Sequence, residues 1–114
     1  MAQRGPESDW KVFRELREVA LQRFCRRALE TVDRMLRDEA GSDYDRYVAI
    51  ERWLHDRDRE MKAAFDDPRR SMMLLHLHVI ASLGLLEPGE LARFAPETVR
   101  SVEAVLRDDA GIDA

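Results

Sequence analysis

Apolar residues are densest between positions 68 and 86, where they cover nearly every side of a helical projection. The stretch shows no two-residue alternation, and an apolar surface on all sides is typical of a helix in a protein core or a membrane. A membrane span needs about 20 apolar residues, whereas this run is shorter and contains His76 and His78. The pattern therefore predicts a buried central helix, against which amphipathic segments pack.

The ends of this central helix are marked by residues that favour helix termini. Asp67 is a suitable N-cap, and Pro68 suits the first helical position because its missing N–H would have no partner there. Gly84 stands where the C terminus of a helix favours a residue with positive φ. We therefore expect the central helix to begin at Pro68 and to end just before Gly84.

The first helix is predicted from Asp9 to Ala40, and its apolar residues recur at helical spacing. Its apolar stripe shifts, because a flank that is apolar in the first half becomes charged in the second half. Such a helix is about 45 Å long at 1.5 Å per residue, whereas a compact globule of this size is only about 35 Å across. The helix must therefore bend or overhang, and a second copy of the chain would most simply cover an overhanging end.

The second helix is predicted to start at Ser42 and to run to about Phe65. Ser42 and Asp45 resemble a capping box, in which each side chain binds the backbone N–H of the other residue. The link around Gly41 is short, so the first two helices should form an antiparallel hairpin. A turn beginning at Asp66 then leads into the central helix.

The C-terminal part is predicted to contain two short helices. A turn at residues 85–89 precedes a helical turn from Glu90 to Phe94, and a last helix runs from Pro96 to Arg107. Residues 1–7 and 108–114 are expected to be flexible tails. The sequence thus predicts a single all-α domain over residues 1–114: a small helical bundle with a long antiparallel helical hairpin, a buried central helix and a short C-terminal helical pair.

Composition narrows the class of protein. Charged residues make up 37% of the chain, but opposite signs are interspersed and the net charge is −4, which does not indicate a nucleic-acid-binding surface. The basic residues are almost all Arg, which we interpret as the GC-rich coding bias of a bacterium. Cys25 is the single cysteine, so an internal disulfide is excluded. The first residues lack the apolar core of a signal peptide, so a cytoplasmic protein without a membrane segment is expected.

Polar residues on apolar helical faces are candidates for a ligand-binding or active site. Asp58 lies among apolar positions of the second helix, and His76 lies among those of the central helix. Antiparallel packing would bring the two within reach, in a cleft also lined by Arg17. A buried Asp–His pair can be a general base with its orienting group. It can equally be a structural pair, because a buried charge needs a partner, and the absence of a suitably spaced nucleophile favours the structural interpretation.

Arg69 and Arg70 form a second candidate site, at the predicted start of the central helix. The N terminus of a helix together with two guanidinium groups can bind an anion. Asp66 and Asp67 stand directly beside them and can neutralise both charges. A structural ion-pair cluster that fixes the turn is therefore the competing, favoured interpretation.

Metal binding and DNA binding have weaker support. Glu51 and His55 lie one helical turn apart, but metal centres in helical bundles use more such pairs, so we expect no metal site and no cofactor. The central helix, the turn and the next short helix have the outline of a helix-turn-helix, but the second helix offers only Arg93 to base edges. A DNA-binding regulator is therefore the third function considered, and nucleic acid is not an expected partner.

The leading hypothesis is a non-enzymatic protein–protein interaction or oligomerisation module. The over-long first helix and its aromatic start, Trp10 and Phe13, are the predicted interface of a homodimer, and a different partner protein is left open. The alternative is a small ligand-binding protein or enzyme with an interhelical cleft near Asp58 and His76.

Overall fold

Five α helices make up the described backbone. The computed structural model describes the backbone of residues 6–113 and the side chains of residues 7–109. The helices are α1 (Pro6–Arg37), α2 (Asp43–Phe65), α3 (Met73–Ser82), α4 (Pro88–Leu91) and α5 (Pro96–Asp113), with a 3-10 turn at Arg70–Met72. No strand occurs within the described backbone. The predicted all-α fold, with its long first hairpin, is confirmed.

The connection between α1 and α2 has the geometry that the sequence predicts. Gly41 has a φ of +82°, and a Cβ at this position would stand 3.0 Å from Asp45 Oδ2. The positive φ therefore favours glycine, and a larger residue would also press against the Asp45 carboxylate of the capping box. Ser42 Oγ accepts a hydrogen bond from the N–H of Asp45 (3.0 Å), and Asp45 Oδ2 accepts one from the N–H of Ser42 (3.1 Å). The predicted capping box is confirmed.

The predicted start of the central helix is wrong. Asp67 has a φ of +55°, so it reverses the chain instead of capping a helix. Its carboxylate accepts a hydrogen bond from Arg69 Nε (2.8 Å). Pro68 lies outside any helix, and the 3-10 turn leads into α3, which begins only at Met73. The tight reversal after α2 and the local ion pair therefore override the helix-start signal.

The end of α3 follows the prediction. Gly84 has a φ of +71°, and the N–H groups of Gly84 and Leu85 donate to the carbonyls of Ala81 (2.9 Å) and Ile80 (3.2 Å). Helix α5 starts at Pro96 as predicted and continues beyond Arg107 to Asp113. Residues 1–5 and 114, which belong to the predicted flexible tails, lie outside the described residues.

The hydrophobic core lies at one end of the molecule, which we call the body. The body consists of the first half of α1, the last turn of α2, and the segment from α3 to α5. Its buried apolar residues are Phe13, Leu16, Ala20, Phe24, Ala64, Phe65, Leu77, Ile80, Leu85, Phe94 and Val102. Helix α3 packs against α1, α2 and α5 and is therefore central. It is less completely buried than predicted, since Leu74 and Leu75 are exposed.

The remainder of the hairpin, residues 25–63, extends from the body as an arm. None of the side chains in this range is buried. The molecule measures 61 × 31 × 23 Å and has a radius of gyration of 17.1 Å, whereas a compact chain of this length would have one of about 13 Å. The predicted overhang of the first helix is thus present, at its C-terminal end.

No helix within residues 6–113 combines the length and the apolar composition that crossing a bilayer requires.

Asp9 joins the start of α1 to the start of α5. The sequence predicts Asp9 at the start of the first helix, but α1 begins at Pro6, and Asp9 lies inside the helix and is only 4% exposed. Its carboxylate accepts hydrogen bonds from the N–H of Ala95 (2.8 Å) and the hydroxyl of Thr98 (2.6 Å). A carboxylate here satisfies a backbone donor and interacts favourably with the positive end of the α5 dipole.

Two arginines of α1 bind carbonyls at the C termini of other helices. Arg17 Nη2 donates to the carbonyl of Phe65, the last residue of α2 (2.6 Å). Arg27 donates to the carbonyls of Leu83 (3.1 Å) and Gly84 (2.8 Å), directly after α3. Because helix C termini carry partial negative charge and unpaired carbonyls, both arginines stabilise these helix ends.

Arg23 fixes the segment between α3 and α4. Its guanidinium donates to the carbonyl of Leu85 (2.9 Å) and makes two hydrogen bonds to the carboxylate of Glu90. The hydrogen bond from Arg23 is the main cause of a lowered pKa of Glu90. A bidentate pair of this kind is directional, so it fixes the orientation of α4 relative to α1.

We predict that Asp9→Ala lowers the free energy of unfolding by about 1–3 kcal/mol, because it leaves the partly buried N–H of Ala95 without its carboxylate partner. Urea denaturation followed by circular dichroism measures the change. The matched control is Glu15→Ala, which removes an exposed ion pair between α1 and Arg93 (2.6 Å) and should cost much less. Equal losses in the two variants would contradict the capping role of Asp9.

Candidate functional site

Asp58 and His76 do not form the pair that the sequence suggests. Asp58 is exposed on α2, His76 is 4% exposed on α3, and no hydrogen bond joins them. The expected alignment of α2 and α3 assumes a direct helical turn at Asp67, whereas residues 66–72 make an irregular reversal and a 3-10 turn. The charged groups that act on His76 are Arg17, Asp66 and Asp67. The predicted cleft is therefore not assembled from these side chains.

Arg17 lies at the junction of α1, α2 and α3. Besides its hydrogen bond to the carbonyl of Phe65, its guanidinium lies 5.8 Å from the centroid of the Phe65 ring. Its Nε is buried and has no hydrogen-bond partner among the described residues. Arg17 thus caps the C terminus of α2 and places a positive charge near His76. Both contacts are structural.

His76 and His78 are the histidines of the body. Burial, followed by the positive charge of Arg17, lowers the pKa of His76 below its ordinary value of 6.5, although Asp67 and Asp66 oppose the shift. The buried Nδ1 of His76 has no hydrogen-bond partner in the described part of the chain. Burial also lowers the pKa of His78, whose Nε2 lies 3.0 Å from Ser101 Oγ. Both rings are therefore neutral at pH 7.

Arg69 and Arg70 are each paired with an acid of the chain. The ion pair with Arg69 lowers the pKa of Asp67. Arg70 Nη2 lies 3.1 Å from Glu7 Oε2 on α1, and the Arg70 guanidinium lies 5.8 Å from the centroid of the Trp10 ring. The geometry matches an ion-pair cluster more closely than an anion site, but the partner of Arg70 is Glu7 and not a residue of the turn.

The aromatic start of α1 faces the body. Phe13 is 1% exposed, and its ring stacks on that of half-buried Trp10 with centroids 5.8 Å apart. The guanidinium groups of Arg14 and Arg70 lie 5.9 and 5.8 Å from the Trp10 centroid. The expectation of an exposed interface at Phe13 is wrong, because the first half of α1 is the half that carries the core.

Exposed apolar residues instead follow one side of the arm. On α1, Leu29 is 68% exposed and Leu36 is 57% exposed. Together with the partly exposed Cys25 and Val32 they recur at intervals of four, three and four residues. This spacing places all four on one side of the helix, as in a helix that packs against a partner helix.

Helix α2 continues the same apolar surface. Tyr47 is 69% exposed and Leu54 is 42% exposed, and with Ile50 they border a groove whose other wall includes Leu36 of α1. The two stripes therefore lie on one side of the hairpin, here called the arm face, which consists of Cys25, Leu29, Val32, Leu36, Tyr47, Ile50 and Leu54. Charged residues surround its end near the hairpin turn, namely Asp43, Arg46 and Glu51.

A different groove, between the arm and the body, contains Trp53 and Arg57. The Arg57 guanidinium lies 5.0 Å from the centroid of the Trp53 ring and 3.4 Å from a carboxylate oxygen of Glu60. This side of the hairpin is thus covered by its own long side chains. The arm face, in contrast, is an extended apolar surface that no described residue of the chain covers.

The apolar spacing of α2 is visible in the sequence, but spacing alone does not identify the arm face. Tyr47, Ile50 and Leu54 recur at helical spacing in the second helix, and the structure leaves Tyr47 and Leu54 exposed. Apolar spacing identifies a stripe, but it does not distinguish a stripe that packs within the chain from one that is left for another molecule.

Groups suited to metal binding are not brought together. Among the described residues, no three His, Cys, Asp or Glu side chains lie close enough to hold a metal ion. Cys25 is partly exposed and belongs to the arm face.

Comparison of the chain with protein-family models, with curated proteins and with solved structures finds no match. The proposed function is therefore based on the geometry of the arm and the body.

We predict that the free energy of unfolding falls as the pH is lowered from about 6.5 towards 5. Folding lowers the pKa of His76 and His78, so below the ordinary value of 6.5 the unfolded chain binds more protons than the folded chain. The stabilisation that these two shifts contribute is present above pH 6.5, and it is lost as the pH falls towards the pKa values of the two histidines in the folded chain. Urea denaturation at a series of pH values measures the slope.

The variant His76→Leu should show a shallower slope over the same pH range, because it removes one of the two depressed groups. The lowered pKa values of Glu15, Asp67 and Glu90 change the free energy of unfolding mainly near and below the ordinary pKa values of these groups, 3.8 to 4.5. They therefore contribute little to the slope in this pH range. An unchanged slope in His76→Leu would show that His76 does not contribute.

Proposed function

We propose that this chain is a non-enzymatic self-association module, in which the arm face of one copy binds the arm face of a second copy. The observation that carries the proposal is that the 39 side chains of residues 25–63 include none that is buried, although the range contains Leu29, Leu36, Tyr47 and Leu54. A helix pair without a core is marginal by itself. Face-to-face pairing of two hairpins would convert it into a four-helix bundle.

The size of the arm face is compatible with a reversible dimer. Two helix diameters give a width of about 20 Å, and about 16 residues from Cys25 to the hairpin turn give a length of about 24 Å. The face then covers about 500 Å² per copy, or about 1,000 Å² in a dimer, which is the lower end of the range for specific interfaces. We therefore propose an association that depends on concentration.

The other functions considered receive less support from the structure. A ligand-binding or enzymatic cleft near Asp58 and His76 would need the two side chains to meet, but one is exposed and the other is buried without a contact between them. Arg93, which DNA binding would require, is engaged by Glu15 at 2.6 Å. The proposal retains the cytoplasmic and bacterial setting that the sequence indicates.

We predict that the wild-type chain is dimeric by light scattering and dissociates on dilution. The double variant Leu29→Glu/Leu36→Glu should be monomeric over the same concentrations, because both side chains are exposed within one copy and would place carboxylates in the dimer interface. Its far-ultraviolet circular dichroism should retain the body helices.

The matched control is Leu75→Glu, which changes an equally exposed leucine (55%) on α3 in the body. This variant should dimerise like the wild-type chain. A wild-type chain that is monomeric at every concentration, or a double variant with wild-type mass, would contradict the proposed function.

A further inference from the structure

The apolar stripe on α1 has a spacing that reads the same in both directions. Cys25, Leu29, Val32 and Leu36 are separated by four, three and four residues, and the midpoint of the series lies between Leu29 and Val32. An antiparallel copy centred on that midpoint would place Leu29 against the partner's Val32. It would likewise place Cys25 against the partner's Leu36, so that every member of the stripe meets an apolar residue.

The two charged residues beside the stripe have nearly the same midpoint along α1 as the stripe itself. Arg26 and Asp33 are seven residues apart, so they lie on one line along the outer edge of the stripe. Their midpoint is one residue, or about 1.5 Å, from that of the stripe. Antiparallel pairing therefore brings Arg26 opposite the partner's Asp33, and by symmetry this happens twice.

Both charges are accessible for such pairing. Arg26 is exposed, and no ion pair joins it to another residue in the described part of the chain. Asp33 is exposed and pairs with Arg37 one turn further along α1, with a distance of 3.2 Å between Arg37 Nε and Asp33 Oδ2. A carboxylate can accept hydrogen bonds from two guanidinium groups, so the partner's Arg26 does not have to displace Arg37.

The position of the body excludes the parallel alternative on two grounds. The body lies at one end of a molecule that is 61 Å long. Parallel arms would place two bodies side by side at the same end, and would leave Arg26 and the partner's Asp33 on opposite edges of the interface, where they do not pair. Antiparallel arms place the bodies at opposite ends and bring opposite charges together.

The second helix is compatible with this centre. Thr31 of α1 and Trp53 of α2 border the same groove, so they lie at about the same height in the hairpin. Leu54, the next residue, points to the arm face and is 42% exposed. It therefore lies near the same centre and would approach the partner's Leu54 across the axis.

Building on the proposed self-association, we infer that two copies pack their α1 helices antiparallel about a twofold axis between Leu29 and Val32. Each Arg26 then pairs with the partner's Asp33. The partner is thus a second copy of this chain in a defined register, selected by the symmetric order of charges and apolar residues.

A charge-exchange cycle tests the register. Arg26→Glu alone and Asp33→Arg alone each convert two attractive pairs into two repulsive ones, and each should weaken dimerisation by about tenfold. The double variant Arg26→Glu/Asp33→Arg restores opposite charges and should recover most of the affinity. Sedimentation equilibrium measures the dissociation constants, and Arg100→Glu, which makes the same charge change at an exposed position of α5 in the body, serves as the control with unchanged affinity.

Cysteine cross-linking provides an independent measurement of the same register. Leu29→Cys and Val32→Cys chains, each with Cys25→Ser, are mixed in equal amounts and oxidised, and intact mass spectrometry separates the products. The inferred register gives mainly the mixed disulfide, because Leu29 faces the partner's Val32.

The outcomes separate this inference from the proposed function. Dimers in which single charge variants bind as tightly as the wild-type chain, or in which like cysteines cross-link preferentially, would overturn the register but not the self-association. Monomers in every sample would overturn both.

Discussion

Each helix of the body ends in backbone groups that need partners, and α1 supplies side chains for several of them. Asp9 binds the N terminus of α5, Arg17 binds the C terminus of α2, and Arg27 binds the carbonyls after α3. The sign of each side chain opposes the partial charge of the helix end that it meets. Because a buried backbone group without a partner costs more than most surface contacts contribute, these bonds determine where the other helices can end.

This arrangement divides α1 into two parts with different roles. Its first half combines apolar residues of the core with Asp9 and Arg17, which bind helix ends, so its apolar side is committed to the body. Its second half packs along α2, reaches the end of α3 through Arg27, and retains an apolar side that no described residue covers. The proposed function follows from that division, because the body can fold with its own contacts while the arm gains a core only from another molecule.

The apolar periodicity and the capping residues of the sequence are sufficient to predict the fold class, the capping box at Ser42 and the positive φ of Gly84. They failed at Asp67, where a side-chain ion pair and a reversal of the chain compete with a local helix start. They also failed for the pairing of Asp58 with His76 and for the exposure of Phe13. These depend on how whole helices are aligned and which half of α1 meets the core, and neither is encoded within a short window of sequence.

The bond between Asp9 and the start of α5 joins residues that are 86 and 89 positions apart. During synthesis from the N terminus, Asp9 must therefore wait for its partners until Thr98 has been made. The hairpin needs only neighbouring residues, and its capping box and glycine turn are complete by residue 45. The arm is thus synthesised before the body can close, and the contact that joins the start of α1 to the start of α5 is a late event in folding.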